Sequence, residues 1–189
     1  MNTYIHTKLG IPEDEVEDLR ESYFHTYGTS LRGLQTNYGI DADEYLEYVH
    51  DICISDFIQT DETLQHILAK LPGNKVVFTN ASRAHAQRVL DALGVETFFS
   101  QIIDVIDIAP YCKPQPEAFQ AAMDLVNDPD PAHYLLLDDS LRNVQTAREH
   151  GMATILVSPN AITLDHQPHA YSIHGIMEVL PDYFKESNG

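Results

Sequence analysis

The chain has 189 residues, of which 29 are Asp or Glu and 11 are Lys or Arg, so its formal charge is −18. This length fits one ordinary domain, or one domain with a small insert, and an apolar share of 43% is enough for a packed core. The excess of acidic residues argues against nucleic acid or an anionic membrane as a partner, because proteins bind both through clustered Lys and Arg.

Residues 1–58 predict a helical unit without strands. Apolar side chains recur at helical spacing over residues 13–27, and Pro12 suits the start of that helix. Residues 28–34, with glycine near both ends, interrupt the pattern. Asp41 is placed to cap a second helix. We therefore predict an N-terminal helical cap over residues 1–58.

From residue 59 onward, helical segments alternate with short apolar runs that are typical of strands buried on both faces. The predicted helices begin near Asp61, Ser82, Pro116 and Leu141, and a last one covers residues 173–180. The predicted strands cover residues 75–79, 102–106, 134–138 and 153–157. This alternation indicates an α/β fold with a Rossmann-like parallel sheet, which we assign to residues 59–189.

The cysteines and the apolar runs bear on the compartment. Cys53 and Cys112 form no CxxC pair, which favours reduced thiols over a disulfide framework. No apolar run approaches the ~18–20 residues of a membrane span, and the first residues have no signal-peptide core. We therefore expect a cytoplasmic protein.

Polar side chains follow the first predicted strand, where open α/β sheets place their sites. Thr79 and Asn80 lie at its end, and the next helix begins near Ser82. A hydroxyl, an amide and a helix N-terminus suit an anionic oxygen. The alternative is that Ser82 simply caps the helix.

Two adjacent acids, Asp138 and Asp139, end the third predicted strand. Desolvating both is costly unless something pairs with them, and Mg²⁺ is a natural partner because it binds one or two carboxylates together with substrate phosphate. The alternative is that Asp139 or Ser140 caps the following helix.

Lys113 lies in a loop that Pro114 and Pro116 stiffen. A fixed ammonium near a metal and a hydroxyl would neutralise phosphate charge. Taken alone, however, a lysine is as readily explained as a solvated surface charge.

Together these features resemble the haloacid dehalogenase superfamily, mostly phosphatases that use an aspartyl-phosphate intermediate. Thr79 in VVFTNAS matches its second motif, Lys113 in KPQPEAF its third, and the acid pair in LLLDDSLRN its fourth. The segments YGTSLRGL and TNASRAHAQRVLDALGV are similar to the pyrimidine 5′-nucleotidase-like branch.

The resemblance implies an Mg²⁺-dependent phosphomonoester hydrolase that acts on a small phosphorylated metabolite, a nucleoside 5′-monophosphate. Asp138 and Asp139 would hold Mg²⁺, Thr79 and Asn80 would position the phosphate, and Lys113 would offset its charge. The implied supporting residues are Ser140 and Asn143 for the acids, and Ser30 and Arg32 of the cap for the substrate. A plain loop between two helices is an equal interpretation of those cap residues.

The family's first motif, DxDx(T/V) at the end of a central strand, supplies the nucleophile and has no counterpart here. The one Asp-x-Asp, Asp41 to Asp43, opens a helix. We therefore expect weakened or absent Mg²⁺ binding, no phosphatase activity from this chain alone, and a missing central strand between residues 75–79 and 134–138. A non-catalytic interaction or regulatory protein with the same fold is the alternative, and a dehalogenase is a weaker one.

Overall fold

The computed structural model describes residues 1–160 and 168–180. The α-helices in these ranges are Asn2–Leu9 (α1), Val16–Tyr27 (α2), Ser30–Tyr38 (α3), Ala42–Val49 (α4), Glu62–Lys70 (α5), Arg83–Leu93 (α6), Pro116–Val126 (α7), Leu141–Glu149 (α8) and Ile176–Val179 (α9). The strands are Val76–Phe78 (β1), Gln101–Ile103 (β2), Leu135–Asp138 (β3), Ala153–Val157 (β4) and His169–Ala170 (β5). Short 3₁₀ turns are Glu13–Glu15, Ile54–Asp56, Glu96–Phe98, Pro131–His133 and Ile173–Gly175.

Helices α1 to α4, which lie within residues 1–58 and are called the cap below, share one apolar core. Its most deeply buried helical members, Ile5, Val16 and Leu34, come from three different helices. Val105 and Cys112, from the α/β part, complete the same cluster. The cap is therefore packed against the α/β part through a common apolar core.

The interruption predicted over residues 28–34 is confined to Gly28 and Thr29, because α3 begins at Ser30. The Thr29 hydroxyl accepts a hydrogen bond from the Arg32 amide at 3.2 Å and so caps the helix. Gly33 lies inside α3, where a Cβ would come within 2.3 Å of the Tyr23 ring. This glycine permits a close approach of α2 and α3, whereas the sequence pattern suggested a break. Helix α1 was also not predicted.

The strands form two parallel sheets. Strand β1 pairs with β2, with Val77 opposite Ile102, whereas β3 pairs with β4 and β4 with β5. The alternation of strands and helices confirms the predicted α/β class. Strand β2 ends at Ile103 rather than at the predicted residue 106, because the Asp104 carboxylate accepts backbone hydrogen bonds in the turn that follows.

Strands β1 and β3 belong to different sheets, and within the described ranges no strand lies between them. Both are almost entirely apolar, yet most of their residues are only half-buried, whereas the middle of β4 is buried. Strands that leave an edge unpaired keep such exposure. Within the described residues β1 and β3 therefore each have one edge without a strand partner, and a missing central strand stays a prediction. The end of the predicted α/β unit, residues 181–189, lies outside the described residues.

We expect Gly33→Ala to lower the free energy of unfolding by about 2 kcal/mol, because the added methyl group must displace the Tyr23 ring. Gly175→Ala is the matched control, since a Cβ there meets nothing within 4 Å. Urea unfolding followed by circular dichroism measures both variants. Equal midpoints for the two would show that the contact between α2 and α3 is not tight.

Candidate functional site

Lys113 lies at the centre of the site and is 8% exposed. Its ammonium donates to the Phe78 carbonyl oxygen at 2.8 Å and to Asp138 Oδ2 at 2.7 Å. It also lies 4.9 Å from the centroid of the Phe78 ring. The ammonium therefore joins the carboxyl ends of β1 and β3, and it is not a solvated surface charge.

The Asp138 carboxylate is held from both sides. Oδ2 accepts from Lys113, and Oδ1 accepts from the Ser140 amide at 2.8 Å and from Asn143 Nδ2 at 2.9 Å. Ser140 and Asn143 thus contact the acid that they were predicted to support, although Ser140 does so through its backbone. Ser140 immediately precedes α8, but its side chain makes no capping hydrogen bond to that helix.

Thr79 and Asn80 follow β1 and lie beside Lys113. Asn80 Nδ2 donates to the Lys113 carbonyl oxygen at 2.8 Å, and the Lys113 amide donates to Asn80 Oδ1 at 2.9 Å. The Asn80 amide group is therefore used to position the lysine loop, a role that differs from the predicted phosphate contact. The Thr79 hydroxyl accepts from the Ala81 amide at 3.0 Å and keeps its proton for donation.

The acid pair does not complete a magnesium site in this geometry. Asp138 has its oxygens engaged by three donors, and Asp139 is exposed. Over residues 1–160 and 168–180, no group of three His, Cys, Asp or Glu side chains is arranged to hold a metal ion. Asp139 is the member of the pair that offers an uncommitted carboxylate, and weakened Mg²⁺ binding stays a prediction.

Arg32 connects the cap to the α/β part and is 8% exposed. Its Nη2 donates to the carbonyl oxygens of Val105 at 2.6 Å and Tyr111 at 2.8 Å, and Nη1 donates to Gln35 at 2.7 Å. These donors are directed at protein acceptors, so the geometry does not support the predicted substrate contact of Arg32. The side chain instead holds the loop that carries Lys113.

The turn before α3 packs directly on that loop. A Cβ at Gly28 would come within 3.0 Å of Cys112 Sγ and 3.1 Å of the Lys113 carbonyl oxygen, so only glycine fits there. Cys112 Sγ donates to the Tyr27 carbonyl oxygen at 3.2 Å, and burial raises the pKa of the thiol, which keeps it protonated. Sequence reasoning missed these contacts because the partners are far apart along the chain.

The family model for haloacid dehalogenase-like hydrolases matches residues 7–151. The chain belongs to this family. The matched residues include Thr79, Lys113 and Asp138, around which the three sequence motifs lie. The match therefore confirms the resemblance to the superfamily.

Two curated relatives have longer chains than this one. Phosphate metabolism protein 8 of Saccharomyces cerevisiae is 29% identical, and the alignment covers 88% of this chain and 59% of the relative. Pyrophosphatase PpaX of Bacillus mycoides is 26% identical, with 58% of this chain and 49% of the relative covered. This haloacid dehalogenase-like chain therefore spans about half to three fifths of the relatives' lengths.

Solved structures show the same fold. The L-2-haloacid dehalogenase of Xanthobacter autotrophicus has a TM-score of 0.60 at 15% identity, covering 92% of this chain and 89% of that one. The magnesium-bound hydrolase YfnB of Bacillus subtilis has a TM-score of 0.59 at 15% identity, with 93% and 87% covered. A phosphatase of Thermococcus onnurineus has a TM-score of 0.59 at 17% identity, with 95% and 86% covered.

His50, at the end of the cap helix α4, contacts the start of α6 in this family member. Its ring stacks on His85 with centroids 4.2 Å apart, and Nδ1 lies 3.1 Å from Ser82 Oγ. Ser82 also caps α6, accepting from the His85 amide, as the sequence alternative proposed. Burial, with help from His85 and Arg88, lowers the pKa of His50 to about 4, so the ring is neutral near pH 7.

No helix in the parts of the chain that the structure covers is long and apolar enough to cross a membrane.

We expect Lys113→Met to lower the free energy of unfolding by about 3 kcal/mol, because it leaves the buried Asp138 carboxylate without its cation. Asp138→Asn removes that charge, so the double variant should be less destabilised than the sum of the two single variants. Urea unfolding of the four proteins gives the coupling free energy. Additive effects would mean that the ion pair does not act as a unit.

We expect His50 to make the protein less stable in mild acid. Since its folded pKa of about 4 lies below the ordinary value of 6.5, the unfolded chain takes up a proton first as the pH falls. The contribution of the neutral ring is complete above pH 6.5, declines between pH 6.5 and 4, and is constant below that. Because solvent screens this partly exposed ring, we expect about 1–2 kcal/mol rather than the full shift.

Thermal unfolding at pH 7 and at pH 4.5, for wild type and His50→Gln, measures this effect. The stability lost by the wild type between the two pH values should exceed that of His50→Gln. The exposed His25→Gln variant should behave as wild type. An equal loss in all three proteins would assign the acid sensitivity to other groups.

Proposed function

We propose that this chain forms the phosphate-binding part of a phosphomonoester hydrolase that acts on nucleoside 5′-monophosphates, pyrimidine nucleotides in particular. The observation that carries the proposal is the junction at the ends of β1 and β3. There the Lys113 ammonium contacts both the Phe78 carbonyl oxygen and Asp138. The pyrimidine preference rests on the resemblance of the cap segment around Ser30 and of the segment that follows Thr79.

In this proposal Lys113 and Thr79 bind the phosphoryl group. Thr79 lies in the chain between Phe78, whose carbonyl oxygen accepts from the Lys113 ammonium, and Asn80, which holds the Lys113 backbone. The hydroxyl donates a hydrogen bond to a phosphate oxygen, and the ammonium offsets the negative charge of the phosphate. Hydrogen bonds to a charged group are stronger than those between neutral groups. Asp138 keeps the lysine in place, and Ser140 with Asn143 keeps Asp138 in place.

Hydrolysis through a covalent intermediate needs a carboxylate in line with the leaving oxygen. Asp104 follows β2 and Asp138 ends β3, but both carboxylates already accept hydrogen bonds from neighbouring groups of the chain. Asp139 is exposed. We therefore propose that the attacking carboxylate comes from outside residues 1–189, on a strand that enters between β1 and β3. The unpaired edges of these two strands support that position.

A second candidate is a non-catalytic interaction protein that keeps the fold. It is favoured by the same commitment of Asp104 and Asp138, which leaves no free buried acid at the strand ends within residues 1–160 and 168–180. The two candidates differ in whether activity appears when the missing strand is supplied.

We expect the chain alone to bind inorganic phosphate and to hydrolyse neither p-nitrophenyl phosphate nor nucleoside monophosphates, with or without Mg²⁺. Thr79→Val should weaken phosphate binding about fivefold to tenfold, because one hydrogen bond is lost. Phosphorus NMR titration measures the binding, and release of nitrophenol or phosphate measures turnover. A Thr63→Val variant, on the first turn of α5, is the control.

Fusing an apolar strand that ends in DxDx(T/V) ahead of residue 1 should produce Mg²⁺-dependent hydrolysis. Phosphate binding without any gain of activity would favour the interaction protein. Turnover by the chain alone that is lost in Asp139→Ala would contradict the absence of a nucleophile, and a lack of phosphate binding would contradict the proposed site itself.

A further inference from the structure

Arg32 is a buried cation that no acid neutralises. It is 8% exposed, and over residues 1–160 and 168–180 no carboxylate lies within ion-pair distance of its guanidinium. Burial lowers the pKa of the side chain from its ordinary value. A buried charge without a counter-ion costs free energy, and an apolar side chain of similar size would fill the space without that cost. Packing alone therefore does not account for an arginine at this position.

The backbone acceptors of the guanidinium lie at the two ends of one loop segment. Nη2 donates to the carbonyl oxygens of Val105 at 2.6 Å and Tyr111 at 2.8 Å. Val105 lies two residues after β2, and Tyr111 lies two residues before Lys113. One nitrogen thus joins the start and the end of the segment that leads from β2 to the lysine. A planar guanidinium presents its donors in a fixed geometry, which a flexible ammonium does not.

The lysine loop is held from the cap and from the α/β part at successive residues. Tyr111 accepts from Arg32, and the Cys112 thiol donates to the last carbonyl oxygen of α2 at 3.2 Å. The Lys113 backbone itself exchanges two hydrogen bonds with Asn80, at the end of β1. The two residues that precede Lys113 are therefore tied to the cap, whereas Lys113 is tied to β1.

We propose that Arg32 is a positioning residue for Lys113, through which the cap fixes the lysine ammonium for phosphate binding. Arg32 acts through the backbone of the loop and does not contact the phosphate. The inference rests on the proposed function for its link to phosphate, whereas the ordering of Lys113 can be measured without any ligand. It implies that the affinity for phosphate depends on how the cap is seated.

The experiment follows the Lys113 ammonium by NMR in protein that contains isotope-labelled lysine, with Lys113→Met to assign the signal. Because the ammonium is buried and donates to two acceptors, its protons exchange slowly with water in the wild type. We expect Arg32→Met to speed this exchange about tenfold or more. It should also weaken the binding of inorganic phosphate about threefold to tenfold, the equivalent of one hydrogen bond. Arg32→Lys keeps the charge without the planar donors, so both effects should be smaller.

Leu34→Ala is the matched control for a loss of stability. Leu34 lies on the same helix, is fully buried and belongs to the apolar core of the cap, so its truncation destabilises the protein without removing a hydrogen bond to the loop. Ile5→Val, a smaller truncation in the same core, extends the comparison to mild destabilisation. We expect lower melting temperatures in both, with ammonium exchange and phosphate binding close to those of the wild type.

The outcomes separate this inference from the proposed function. Unchanged ammonium exchange in Arg32→Met would overturn the positioning role, and Arg32→Lys decides the question if Arg32→Met does not fold. Equal changes in Arg32→Met and in a core truncation of the same stability would show a merely structural role and overturn it too. Faster exchange with unchanged phosphate affinity would overturn the link to phosphate. If the wild type binds no phosphate, the proposed function fails, and the exchange rates still decide whether Arg32 orders Lys113.

Discussion

The buried ion pair between Lys113 and Asp138 joins the two halves of a divided sheet. Strands β1 and β3 do not pair with each other. The Lys113 ammonium connects their carboxyl ends, because it contacts both the Phe78 carbonyl oxygen and Asp138. Removing two charges from water is costly and is offset only when every oxygen and proton has a partner. Asp138 meets that requirement through Ser140 and Asn143. The same pair thus connects the two sheets and fixes the position of the Lys113 ammonium.

The cap depends on this junction as well. Arg32 donates to two backbone carbonyl oxygens ahead of Lys113, those of Val105 and Tyr111. Gly28, with a φ of +85°, packs closely against Cys112 and the Lys113 backbone. Movement of the cap would therefore disturb Lys113 directly.

Membership in the haloacid dehalogenase-like hydrolases accounts for the pattern of Thr79, Lys113 and Asp138. The acids at the strand ends of this chain are engaged in structure, and the edges of β1 and β3 are unpaired. These two features have one explanation if a strand carrying a carboxylate completes the sheet from outside this chain.

Local patterns sufficed for much of the molecule. The periodicity of apolar residues predicted most helices and strands, Asp41 and Asp61 cap helices as their side-chain chemistry requires, and the motifs identified the family. The helix at Ser30–Tyr38, the role of Arg32 and the use of Asn80 to hold the lysine loop were decided by tertiary structure alone. Each depends on partners distant in the chain, and a sequence pattern records which side chains are present but not which of them meet when the cap packs on the α/β core.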